Sequence, residues 1–298
     1  MFHGILRLPP GNQPAPLLLV YHAANGGRSD FPFYDHLKRD LPEAGVATFI
    51  FDRRGSGDQP GDFEAADFED LARDGLSALA VLKEHPRVDA ARIGTWGISQ
   101  GGWIAPLSAT LSDDVSFVIS VSGPGVTPAR QMAYAADYNL RASGFSEEII
   151  ARARDLRVRI DAYYRNSSGR EILQADISAA EREEWFPFAY LPSSGELPEN
   201  PEQTKWRKEM DFDPAEHLGK LSVPMLVVFG RNERWVPVEE SIEGIRAVAS
   251  DKVPLTFYIA ENSGHFMSGN AEAEDYGGEG TVEPGYIDAM LRWIDALQ

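Results

Sequence analysis

The chain has 298 residues, 43% hydrophobic and 25% charged, enough to bury a large core in one or two domains of a water-soluble globule. It contains no cysteine, which excludes disulfides, a thiol nucleophile and any Cys-based metal site. With 28 basic against 46 acidic residues the formal charge is −18; a field of that sign serves solubility and repels nucleic acid and anionic membranes as partners.

The first ten residues have neither the basic stretch nor the apolar core of a secretory leader, and the apolar run at 17–21 is far too short to span a bilayer. A cytoplasmic location is therefore expected. Residues 4–8 read as an antiparallel edge strand. Short apolar, β-branched runs bounded by Gly, Pro or Asp follow at 17–22, 46–52, 92–97, 115–122, 224–230 and 254–260, the pattern of parallel strands buried on both faces. Helical stretches lie between them. In the clearest, 67–83, Phe68, Leu71, Ala72, Gly75, Leu76 and Leu79 share one stripe and Asp67 is placed to cap the N-terminus. Strand and helix alternation predicts an α/β fold with a doubly wound, mostly parallel sheet.

The alternation breaks between about 125 and 221. This stretch is rich in helix formers, notably 147–164, and in aromatics, among them Tyr134, Tyr138, Trp185 and Trp206. It reads as a helical cap, 125–221, inserted after the sixth main strand into a core made of 1–124 and 222–298. Residues 191–201 are rich in Pro, Ser, Gly and Glu and read as an exposed, mobile loop. The segment 268–284 carries Glu272, Glu274, Asp275, Glu279 and Glu283 among glycines and reads as a solvated loop before a final helix, 286–297.

Gly97-Ile98-Ser99-Gln100-Gly101 matches G-x-S-x-G at a strand-to-helix junction, where a serine on a sharp turn protrudes above a sheet. A serine hydroxyl needs a base to take its proton. Of six histidines, only His265 follows the last predicted strand and returns to the carboxyl edge where Ser99 lies. The base needs a carboxylate, and Glu233 is the only acid in the turn after strand 224–230. The order Ser99, Glu233, His265 is the one expected of a triad on this scaffold. The bland alternative for Glu233 is a surface salt bridge with Arg231 or Arg234. An oxyanion needs fixed N–H donors, expected from the backbone of Gln100 and of the 22–27 loop, with Ala24 first and Ala23 next. Neither H-E-x-x-H nor a P-loop nor G-x-G-x-x-G occurs, so no metal, nucleotide or other cofactor is expected.

These residues, together with Asp52-Arg53-Arg54-Gly55-Ser56-Gly57, Ser122-Gly123-Pro124 and Gly264-His265, resemble the α/β-hydrolase superfamily, in particular bacterial serine hydrolases grouped with the prolyl-oligopeptidase and serine-aminopeptidase clans. The resemblance covers nearly the whole chain. It implies the α/β-hydrolase fold with an inserted helical cap, a triad, no cofactor, and action on esters or related acyl compounds. Two positions depart from it: Ala23 stands where the family usually has glycine, and Glu233 where it usually has aspartate. The expected activity is that of a carboxylesterase on a small acyl substrate. A peptidase, amidase, thioesterase or lactonase would use the same residues, and a non-catalytic ligand-binding module is the reading of another class. Tyr138 and Trp185 are the aromatics expected to meet substrate.

Overall fold

The structure is a computed structural model that describes residues 3–25, 27–191, 195–250, 253–269 and 282–297. The chain divides into two compact units: unit 1 comprises Met1–Gly125, Pro214–Glu233 and Val238–Gln298, and unit 2 comprises Val126–Asp213 and Arg234–Pro237.

Unit 1 is built on one seven-stranded sheet. In chain order its elements are β1 (Gly4–Arg7), β2 (Ala15–Tyr21), α1 (Asp35–Glu43), β3 (Ala47–Phe51), α2 (Phe68–Leu82), β4 (Val88–Ile98), α3 (Gln100–Leu111) and β5 (Phe117–Val121). After unit 2's main segment come α8 (Pro214–Leu218), β6 (Met225–Gly230), α9 (Val238–Val248), β7 (Leu255–Ala260) and α10 (Pro284–Asp295), the numbering leaving room for the four helices of that segment. The spatial order is β1-β3-β2-β4-β5-β6-β7, parallel except for β1, which pairs antiparallel with β3 at the edge. Every residue of β2, β3, β5 and β6 is buried. Such runs suit strands covered on both faces, and each fully buried Leu or Ile adds about 1.5–3 kcal/mol over exposure.

Two side-chain hydrogen bonds tie helices to opposite faces of the sheet. Trp96 of β4, fully buried, donates its indole N–H to the Tyr286 hydroxyl of α10 at 3.1 Å. Tyr21 of β2 donates to the Ala72 carbonyl of α2 at 2.9 Å. Asp67 caps α2 in a reciprocal box with Asp70, satisfying two N–H groups that the helix leaves without partners. α3 is apolar nearly all round, as a helix pressed into the core must be. No helix among the described residues is long and apolar enough to cross a membrane.

From β2 the chain crosses to β3 on one side, and from β4 to β5 on the other. The carboxyl ends of β2 and β4 therefore flank the point where strand order reverses, the usual place for a site in an open α/β sheet. The register pairs Tyr21 with Gly97, so the chain leaves β2 beside Ser99.

Unit 2 is helical: α4 (Pro128–Ala142), α5 (Glu147–Asn166), α6 (Arg170–Ala180) and α7 (Lys205–Glu209). Thr127 and Ser146 cap α4 and α5 through their hydroxyls. The insertion opens after the fifth strand of the chain, not the sixth. Its boundaries also differ from 125–221, because α8 packs on α3 of unit 1 while Arg234–Pro237 joins unit 2, where the Trp235 carbonyl accepts a hydrogen bond from the Gln131 amide at 2.7 Å. The expected exposed loop at 191–201 is corrected in part: Glu196, Glu199 and Asn200 are exposed, but the apolar positions between them are not. Leu191, Leu197 and Pro201 are buried and the Leu197 N–H donates to Gln174, because apolar side chains among its Pro and Ser residues complete the unit's core. Pro192, Ser193 and Ser194 lie outside the described residues, as do Glu272, Glu274, Asp275 and Glu279 of the acidic segment.

Trp185 is part of that core. It is 3% exposed and packs with Leu140, Ile150, Leu156 and Ile177 of the same unit. The expectation that it meets substrate therefore gives way to a packing role: an indole surrounded by its own unit's apolar side chains has no face left for a ligand. Trp185→Ala should destabilise the protein by about 3–5 kcal/mol, as large aromatic deletions in cores do. A urea titration of the full-length variant checks this, and a loss under about 1 kcal/mol would contradict the burial.

Candidate active site

Ser99 joins β4 to α3 with φ 55° and ψ −115°, a conformation that a residue with a Cβ rarely adopts and that costs of order 1–3 kcal/mol. The turn is held from both sides. The Ser99 N–H donates to the Val121 carbonyl at 2.9 Å, and the Gly102 N–H donates to the Ser99 carbonyl at 2.8 Å. Glycine is required at 97, since a Cβ there would collide with the Gly101 carbonyl. Ser99 alone among residues 93–109 is not buried. Gln100 is the first residue of α3, so its N–H faces out of a helix N-terminus, where the helix dipole favours negative charge.

The loops after β6 and β7 bring Glu233 and His265 together. His265 Nδ1 lies 2.9 and 3.0 Å from the two carboxylate oxygens of Glu233. The carboxylate side chain is 1% exposed and the imidazole 9%. A buried carboxylate accepts only, so Nδ1 carries the proton and Nε2 is left as the basic nitrogen. Of the two guanidinium groups in the salt-bridge alternative, that of Arg231 pairs instead with Glu261 at 2.7 Å.

Three side chains that sequence reading did not assign hold this arrangement. Ser122, at the end of β5 with φ 47°, donates its hydroxyl to the His265 carbonyl at 2.8 Å. The Ser263 carbonyl accepts from the Asn232 N–H at 3.0 Å, joining the two loops, and the Ser263 hydroxyl donates to Glu283 at 2.8 Å. Glu283 is thus tied into the site's frame rather than free in a solvated loop. Glycine is needed at 230, where a Cβ would meet the carbonyls of Ser263 and Gly264. Ser99 and His265 are linked through neighbours: Ser99 bonds to Val121, and the next residue, Ser122, bonds to His265.

Where the chain leaves β2, His22 is held by buried polar groups. His22 Nε2 faces the Phe51 carbonyl and Nδ1 faces the Tyr34 hydroxyl at 3.0 Å. With Nε2 as donor, the Tyr34 hydroxyl donates to Nδ1. Burial raises the Tyr34 hydroxyl above its ordinary pKa, which keeps it a neutral donor. Of the two alanines that open this loop, Ala23 is buried and Ala24 is exposed. Among the described residues, no group of three or more His, Asp or Glu side chains could share a metal ion.

A model described as the alpha/beta hydrolase family matches residues 17–275. This chain belongs to the α/β-hydrolase family. Over 252 residues the hydrolase is 26% identical to an uncharacterized 31.7 kDa protein of the traX-finO intergenic region of Escherichia coli, covering 82% of each chain. Its fold is also similar to that of the α/β hydrolase GrgF from Penicillium sp. sh18, at 18% identity and TM-score 0.61 over 99% of this chain and 93% of that one. An acetyl xylan esterase from Paenibacillus sp. R4 is similar at 18% identity and TM-score 0.57, over 99% of this chain and 79% of that one. At such identities the two structures speak for the fold.

Tyr138 of the hydrolase lies on α4 of unit 2, half-buried, with its ring 6.2 Å from that of Tyr134.

Two measurements test the site's energetics. If the elbow is strained as its dihedrals indicate, Ser99→Gly should be more stable than Ser99→Ala by about 1 kcal/mol, because glycine adopts positive φ at little cost. Thermal unfolding of the two variants decides it, and equal melting temperatures would mean an unstrained turn. The second concerns His22 and His36. Burial pushes both imidazoles down from 6.5 to about 4, with backbone carbonyls of Phe51 and Phe33 offsetting part of that effect. The unfolded chain then binds more protons at these two positions than the folded one. Their contribution is complete above pH 6.5 and is lost as pH falls towards 4, by about 3 kcal/mol each. Urea midpoints should fall over this range, and less steeply in His36→Asn. An identical acid slope in that variant would show that His36 does not titrate as described.

Proposed function

We propose that this α/β-hydrolase is a serine carboxylesterase. Ser99 is the nucleophile, His265 the base and Glu233 the acid, with the N–H groups of Gln100 and Ala24 as the oxyanion hole. The observation that carries the reading is the buried Glu233 carboxylate on His265 Nδ1 at 2.9 Å, which leaves Nε2 to work as a base.

In this reading Ser99 Oγ attacks the ester carbonyl while His265 Nε2 takes its proton. The two N–H donors stabilise the oxyanion of the tetrahedral intermediate. His265 returns the proton to the departing alcohol, leaving an acyl group on Ser99. Water, deprotonated by the same nitrogen, attacks the acyl carbonyl, and collapse of the second intermediate frees the acid and restores the serine. Glu233 keeps the imidazole in one tautomer and balances its charge in both transition states. A glutamate in place of the usual aspartate adds one methylene and serves the same role. An ester is the favoured substrate because an alkoxide departs with less help than an amine. One neighbour of like fold is an acetyl xylan esterase, which agrees with ester chemistry on this scaffold without fixing the alcohol or acyl group.

Wild-type protein should hydrolyse short p-nitrophenyl esters and be labelled by a fluorophosphonate at Ser99. Ser99→Ala should abolish both, and Glu233→Gln should lower kcat by about 10³–10⁴-fold. Turnover surviving in Ser99→Ala would reject the reading. Faster hydrolysis of aminoacyl amides or thioesters than of matched esters would keep the machinery and replace the substrate class.

A further inference from the structure

One residue holds the carbonyls of Ala23, Ala24 and Gly27. Arg53 follows β3 by two positions. Its backbone N–H donates to the Gly27 carbonyl at 2.7 Å, and its Nη1 donates to the carbonyls of Ala23 at 3.1 Å and Ala24 at 3.0 Å. The guanidinium carbon lies 3.5 Å from the centre of the Phe63 ring, a cation–π contact.

The geometry points to Arg53 as the positioning residue of the oxyanion hole: by holding the Ala23 carbonyl it aims the Ala24 N–H at the reacting oxygen. The reason is the planar trans peptide. The C=O of Ala23 and the N–H of Ala24 belong to one amide and point in opposite directions, and no cis peptide is present among the described residues. A donor that captures that oxygen therefore turns the N–H directly away from itself. The second capture, at the Ala24 carbonyl, fixes the next amide and prevents the first from flipping. Ala23 makes such a clamp useful. The usual glycine at this place reaches many backbone conformations, and alanine reaches few, so the loop is held from outside by a side chain that arrives from another strand. The inference rests on the oxyanion role given to Ala24 above.

Arg53→Ala should lower kcat for a p-nitrophenyl ester by about 100-fold, the effect of losing one oxyanion donor, with KM nearly unchanged. A trifluoromethyl ketone, which forms the oxyanion on Ser99, should lose affinity in step with kcat/KM. Arg53→Lys keeps the charge but not the flat fork, and should lose about tenfold. Hydrogen exchange over 22–29 reads the loop without any substrate and should quicken by about tenfold in Arg53→Ala. A kcat within about threefold of wild type for Arg53→Ala overturns the inference, as does unchanged exchange across the loop. If Arg53→Ala does not fold, wild-type kcat in Arg53→Lys overturns it. Wild-type protein inert on every ester and unlabelled at Ser99 overturns the esterase reading instead, and the exchange comparison still decides the clamp.

Discussion

A carboxylate removed from water has to be answered by a donor, and in this protein the Glu233 carboxylate is answered by His265 Nδ1. Most of the local architecture follows from bringing these two groups together. They come from loops that follow different strands, so β6 and β7 must end level, which the pairing of Gly230 with Ala260 secures. The loops must then touch backbone to backbone, which forbids a side chain at 230. Ser122 and the Ser263–Glu283 pair fasten the histidine's loop to β5 and to the start of α10.

The same edge of the sheet stores conformational strain. Unit 1 has three described residues other than glycine at positive φ: Ser99, Ser122 and Met267. All three lie at carboxyl ends of strands or in the loop after β7. Each such residue costs about 1–3 kcal/mol and persists only because its surroundings over-determine it. Here the surroundings are parallel strands buried on both faces, whose register leaves little freedom to relax. Rigid core and strained rim are therefore parts of one design: burial deeper in the sheet stabilises the unusual turns above it. The buried His22–Tyr34 pair extends this to the start of the loop after β2, where His22 is held through both ring nitrogens.

Much of this was legible in the chain. Seven strands, their parallel character and the antiparallel edge at residues 4–8 followed from short apolar runs punctuated by turn residues, because strands buried on both faces leave that trace. The junction at Ser99 was legible because its glycines and flanking strand and helix occur together, and Asp67 because a cap is a local interaction. Other features left no trace. Ser122, Arg53 and Glu283 work by bonding to backbone atoms or to one distant hydroxyl, and such contacts place almost no demand on neighbouring residue types. Trp185 misled because an aromatic in a helical insertion looks the same whether it packs inward or meets a ligand. The stretch around Leu197 misled because its Pro and Gly signal irregular backbone, not exposure.

The sequence alone determined the order of strands and helices and the family, and it singled out Ser99, Glu233 and His265 as candidates, since each depends on residue type and on spacing along the chain. Tertiary structure decided that Arg53 holds the Ala23 and Ala24 carbonyls, that the unit boundaries fall at 125–126 and 213–214, and that Arg234–Pro237 leaves unit 1. Those outcomes depend on distances between segments far apart in the chain, and only the packed sheet sets them.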